Sequence, residues 1–117
     1  MGFARLPLTL RLALYGLAVA TLLYLTLAPA EALPQVNIWD KAEHATAWLV
    51  LAGLGLLLFP KRAVTIALFS LGLGVLVELL QATPMIARDA DARDVLADSV
   101  GIAAALAIGR LVRRPRP

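Results

Sequence analysis

The sequence predicts an all-α membrane protein, a four-transmembrane-helix bundle with N- and C-termini cytoplasmic, folded as a single domain over residues 1–117. Three observations predict it. The first is composition: 61% of the 117 residues are hydrophobic, 16% are charged, and mean hydropathy is +0.82. An ordinary soluble domain is about 45–50% apolar, glycine included, and about 25% charged. A chain this small has too little interior to hide so much hydrocarbon, which excludes a soluble monomer and a disordered chain alike. The second observation is punctuation. All seven prolines (Pro7, Pro29, Pro34, Pro60, Pro84, Pro115 and Pro117) fall in breaks or tails, where they remove no helical backbone bond. The third is the placement of charge, which orients the bundle.

The elements follow from these breaks. Apolar segments run over residues 10–28, 40–59, 63–82 and 93–111, each about 19–20 residues, the length a helix needs to cross roughly 30 Å of hydrocarbon. The first ends at Pro29. Ala28-Pro29-Ala30, with Arg5 and Arg11 upstream, has the outline of a secretory signal. The apolar run exceeds a usual signal core, however, and proline inside the site hinders cleavage, so the segment is expected to stay. The second opens on Asp40-Lys41-Ala42-Glu43-His44 and closes before Pro60. The third holds Gly72-Leu73-Gly74 and ends near Glu78 and Gln81. The fourth opens on Arg93 and Asp94 and continues through Asp98, Gly101 and Ala105. Its small residues, like Gly53 and Gly55 in the second, suit close helix approach. A phosphate-loop reading of the glycine runs fails because neither follows a strand.

Eight basic residues and no acid cluster at one side: Arg5, Arg11, Lys61, Arg62, Arg110, Arg113, Arg114 and Arg116. The opposite side holds all eight acids (Glu31, Asp40, Glu43, Glu78, Asp89, Asp91, Asp94, Asp98), with Lys41, Arg88 and Arg93 as its only bases. By the positive-inside rule the basic side is cytoplasmic. The pI of 10.0 is therefore a topology signal, and no nucleic acid is expected as partner. Zero cysteines exclude disulfide and thiol chemistry.

Segments two and four must carry polar first turns into the membrane in order to span. At about 1.5 Å per residue, His44, Glu78 and Asp98 all lie roughly 6 Å below the outer boundary. Asp40 with His44, and Asp94 with Asp98, are i,i+4 pairs on single faces. Ionisable groups in a membrane are costly unless paired or hydrated, so these should face one another. The expectation is a buried polar cluster opening outward, roofed by the 83–93 loop. Lys41, Glu43, Asp89, Asp91 and Arg93 read equally well as a solvated rim, Glu31 as exposed, and Trp39 and Tyr24 as interfacial anchors.

These residues form a pattern. Asp40-Lys41-x-x-His44 opens the second helix, Glu78-x-x-Gln81 closes the third, Arg88 follows, and Asp94-x-x-x-Asp98-x-x-Gly101 opens the fourth. Over nearly the whole chain this resembles the VanZ-like family of small bacterial integral membrane proteins. Two positions depart from it: Asp98 stands where the family often has asparagine, and Ala87 where it usually has glycine. The resemblance implies the bacterial cytoplasmic (inner) membrane and a link to the cell envelope, since the family's namesake is associated with teicoplanin resistance.

The first functional expectation is a site that binds or processes an envelope lipid or lipid-linked cell-wall precursor. His44, Glu78 and Asp94 are the candidate catalytic groups, His44 as general acid or base with Asp40 orienting its ring. Asp40, Lys41, Gln81, Arg88 and Asp98 are the candidate substrate-binding groups, with Arg88 suited to clamping a phosphate or carboxylate. No cofactor is expected, although His44, Glu78, Asp94 and Asp98 would suit a divalent metal. Ser70 and Ser99 lack a triad, which disfavours a serine hydrolase. The residues alone admit both an enzyme and a binding site. A second expectation is an accessory protein whose cluster fixes helix packing or a partner. A small transporter ranks below both, because no ionisable relay continues into the cytoplasmic halves. Four short helices also leave room for a homo-oligomer.

Overall fold

A computed structural model describes residues 2–27, 40–83 and 92–113. It is all-helical: a 3-10 turn at Gly2–Arg5 precedes α1 (Leu8–Leu27), α2 (Asp40–Leu58), α3 (Ala63–Gln81) and α4 (Ala92–Val112). The expected bounds differ from these by two residues or fewer. The largest shift is at the start of α1, where the Arg11 N–H donates to the Pro7 carbonyl at 3.0 Å. Proline at a helix entry forfeits only an N–H that has no intrahelical partner there, so the helix begins right after it.

Three helices, α1, α3 and α4, are long and apolar enough to cross a membrane. The expectation of a fourth span falls on α2, which is not among them. Its first turn carries Asp40, Lys41, Glu43 and His44, and these offset the hydropathy of the leucine-rich half.

The helices pack unequally. α2 lies most closely on α4, and Gly101 is the reason. A Cβ at that position would stand 2.2 Å from the Ala45 carbonyl oxygen, so only glycine admits so near a backbone. Trp48, Leu51, Ala52 and Leu56 of α2 meet Ile66, Leu73 and Val77 of α3 and Ile102 and Ala105 of α4 in one core. α1 is peripheral, with Leu22 its single buried residue. Leu12, Leu17, Tyr24 and Leu25 are exposed on it, an apolar surface that lipid covers without penalty.

Arginines tie one end together. Arg11 donates through Nη1 to the Leu58 carbonyl and through Nε to the Leu6 carbonyl, each at 3.0 Å, and its guanidinium lies 5.2 Å from the Phe59 ring centroid. Arg113 donates to the Pro60 carbonyl at 2.7 Å. Carbonyls at a helix C-terminus lack intrahelical donors and carry the negative end of its dipole. The start of α1 and the end of α4 are thereby fastened to the end of α2. The acidic residues of α2 and α4, with Lys41 and His44, collect at the other end.

Candidate functional site

The site begins with the approach of α4 to α2. Gly101 lets α4 settle on the backbone of Ala45 and Leu49, which brings Asp98, one turn earlier on α4, against His44. The His44 Nδ1 and Asp98 Oδ1 are 3.0 Å apart. Asp98 is fully buried, and as a carboxylate it offers only acceptors, so Nδ1 carries the proton of this bond. The other nitrogen, Nε2, faces Asp94 Oδ2 at 3.6 Å. The imidazole thus spans two carboxylates one helical turn apart. With Nδ1 donating, Nε2 is a second donor in the imidazolium and an acceptor in the neutral ring.

Asp94 is held through its other oxygen. Lys41, three residues before His44 on the same face of α2, donates from Nζ to Asp94 Oδ1. α3 adds Glu78, and single ligand atoms of His44, Glu78 and Asp94 lie within 4.8 Å of one another. Glu78 is 8% exposed and Asp94 3%, so these carboxylates depend on protein partners for what water would otherwise supply.

Packing holds the ring in place. The Trp48 indole stacks on His44 with centroids 5.9 Å apart and planes at 14°. Its N–H donates to the Ser70 carbonyl at 2.7 Å, which fastens α2 to α3. Gly74 of α3 passes beside both: a Cβ there would stand 2.7 Å from Asp98 Oδ2 and 3.3 Å from Trp48 Nε1.

Of the residues singled out in sequence, the structure brings His44, Glu78 and Asp94 together, with Lys41 and Asp98 joined to them. Gln81 is directed elsewhere. Its side-chain N–H donates to the Thr26 carbonyl at 2.7 Å, satisfying one of the last carbonyls of α1. Lys41 belongs to the cluster, with a side chain 17% exposed, whereas Arg93 is exposed. The Asp40 side chain and Arg88 lie outside the described residues, as do Glu31, Trp39, Asp89 and Asp91. The carboxylate seen on Nδ1 belongs to Asp98 of the neighbouring helix; the expected orienting role of Asp40 lies outside the described residues. One site residue, Trp48, escaped the sequence reading, and Gly74 is read there only as a small residue suited to close helix approach. Trp48 carried a signal, since it stands four residues after His44 and so shares its face.

A cavity of about 860 Å³ lies at the arginine end between Leu56, Ala63, Leu106, Gly109, Arg110 and Arg113. It is mainly apolar and lacks an acid or histidine in its lining, so the groups capable of proton transfer or coordination are elsewhere. No family model, no curated protein and no solved structure matches the chain. The chemistry of the cluster therefore has to carry the functional reading. That chemistry comprises a histidine ring held by two carboxylates, a third carboxylate beside it and an ammonium at the edge. Such a set can move a proton, bind a cation, or receive a ligand that bears both donors and anionic oxygens.

Proposed function

We propose that the protein is a VanZ-like bacterial inner-membrane protein whose polar cluster binds or processes an envelope lipid or lipid-linked cell-wall precursor. In this reading α2 also spans, both termini are cytoplasmic, and the cluster lies at the outer face. The arginine-tied end then meets the cytoplasmic surface, as the positive-inside rule requires. Headgroups would reach the cluster while acyl chains remain in lipid.

One observation carries the reading: His44, half-buried, lies between the buried Asp94 and Asp98, with Glu78 alongside, at one end of an otherwise apolar bundle. Ionisable residues at membrane depth are functional by default, because a purely structural interface there is cheaper to build from small and apolar side chains. The family resemblance adds the envelope and links the site to tolerance of teicoplanin-type glycopeptides.

The test is native mass spectrometry of the protein extracted from its own membranes. Wild type should retain a phosphate-bearing envelope lipid. His44→Ala and Glu78→Gln, present at equal membrane levels, should lose it, together with any glycopeptide tolerance that expression confers. If both variants carry the same lipids in the same amounts as wild type, the cluster is a packing device and the proposal falls.

A further inference from the structure

The same cluster has the donors, spacing and orientation of a metal centre. We propose that His44 Nε2 and one oxygen each of Asp94 and Glu78 form a three-ligand site for a first-row divalent cation, zinc or manganese. The cation site stands on the geometry of three side chains. Only the identity of what binds its open position rests on the lipid reading above.

Spacing is the first support. One ligand atom from each residue lies within 4.8 Å of the others, and Nε2 is 3.6 Å from Asp94 Oδ2. That separation exceeds the 2.7–3.2 Å typical of an N–H···O hydrogen bond. It matches the edge of a tetrahedron whose corners lie about 2.1 Å from a central ion, which is about 3.4 Å. Lys41 engages Asp94 through Oδ1, so the oxygen turned to the ring is the other one, Oδ2.

Orientation is the second. A ligating histidine characteristically donates its remaining N–H to a carboxylate, which fixes the tautomer and strengthens the ligand. Asp98 holds that position, 3.0 Å from Nδ1, and its side chain is 1% exposed. The Trp48 ring stacked on the imidazole fixes the plane in which the Nε2 lone pair lies. Asp98 and Trp48 are positioning residues and lie outside the ligand set.

The donor types select the ion. Magnesium and calcium favour all-oxygen shells, whereas an imidazole with carboxylates suits zinc, manganese or iron(II). Three protein ligands leave at least one coordination position open, the arrangement of an exchangeable or catalytic site. If the lipid reading holds, an anionic headgroup oxygen takes that position.

The experiment uses the full chain in detergent, stripped with a chelator and then titrated with zinc or manganese chloride. Isothermal titration and elemental analysis read affinity and stoichiometry. Wild type should bind one ion per chain. His44→Ala and Glu78→Gln should abolish stoichiometric binding. Asp98→Asn should weaken it by about 10–100-fold, the usual effect of removing such a support. Helical circular dichroism and size exclusion check that each variant is folded. Should they misfold, manganese electron paramagnetic resonance on wild type still reports a site-bound ion with a nitrogen ligand. Wild type that takes up no stoichiometric ion, or folded His44→Ala that binds as tightly, overturns the proposal. Lipid retention measured on the stripped protein separates the two readings: a metal-free site that keeps its lipid loses the cation and leaves the lipid proposal standing.

Discussion

Gly101→Ala tests whether the α2–α4 contact builds the site. A single methyl is added, yet its Cβ would lie 2.2 Å from the Ala45 carbonyl oxygen and 2.9 Å from the Leu49 nitrogen. Both are backbone atoms in mid-helix, so no side-chain rotation relieves the clash. To reach ordinary contact at about 3.5 Å, α4 must retreat from α2 by about 1 Å. Asp98 moves with it, which stretches its 3.0 Å contact with His44 to about 4 Å, beyond hydrogen-bond reach. Overpacking of this kind costs about 1–3 kcal/mol, and losing a hydrogen bond to a charged group about 1.5–3 kcal/mol more. The expected loss is roughly 3–5 kcal/mol in all, read as a fall of about 10 °C or more in the thermal midpoint in detergent. The downfield His44 Nδ1–H proton should vanish from the NMR spectrum. Gly72→Ala is the control. Gly72 is exposed and has nothing within 4 Å of its built Cβ, so that variant should melt within about 1 kcal/mol of wild type. If Gly101→Ala melts together with Gly72→Ala and keeps the His44 proton, the close approach is not what assembles the site.

Two further substitutions act on the supports. Gly74→Ala presses on Asp98 Oδ2 at 2.7 Å and on the Trp48 nitrogen at 3.3 Å. These are side-chain atoms that can yield, so it should cost less stability than Gly101→Ala, about 1–2 kcal/mol, while displacing the His44 Nδ1–H resonance. An unmoved resonance would refute the reading of Gly74 as a wall of the site. Trp48→Phe keeps a ring over His44 but removes the N–H that reaches the Ser70 carbonyl. It should lower thermal stability by about 1–3 kcal/mol, a lost buried hydrogen bond plus a partial cavity. A midpoint equal to wild type would remove Trp48 from the α2–α3 fastening.

Much of the fold is legible because membrane helices obey few rules. Pro7, Pro29, Pro60 and Pro84 mark the breaks, and the apolar runs between them need only be long enough. The stripe of Asp98, Gly101 and Ala105 also reads correctly as an inward face, since residues three and four apart share a face and all three are buried. Depth arithmetic sees only part of the cluster. It puts His44, Glu78 and Asp98 in one layer, and His44 does meet Asp98 at 3.0 Å, but Asp94, a turn earlier, also comes to 3.6 Å from the ring. Rise per residue fixes the height of Cα atoms, while an imidazole presents its two nitrogens to residues on successive turns. The His44–Asp98 contact is harder to read for a related reason. An i,i+4 rule finds neighbours along one helix and cannot see how near the next helix comes, and here a single glycine sets that distance. Gln81 shows the same limit: beside Glu78 in sequence, it serves the end of α1.

The packing also bears on whether the cluster is more than structural. A buried ion network is weak support for stability, because desolvating the charges consumes most of what their attraction returns. Its best-attested structural use is to specify register, and in this bundle register is already set by other means. Gly101 seats α4 on the Ala45 backbone, the Trp48 indole binds α2 to α3, and Gln81 joins α3 to α1. At the far end Arg11 and Arg113 fasten α1 and α4 to the α2 terminus. Every helix is therefore positioned by contacts that need none of His44, Glu78 or Asp98. Three carboxylates and a histidine brought together under these conditions cost the fold energy without being required to locate it. What they do supply is an imidazole with Asp98 3.0 Å from Nδ1 and a ligand atom each of Asp94 and Glu78 within 4.8 Å of one ring nitrogen. That arrangement is the one the proposed cation would use.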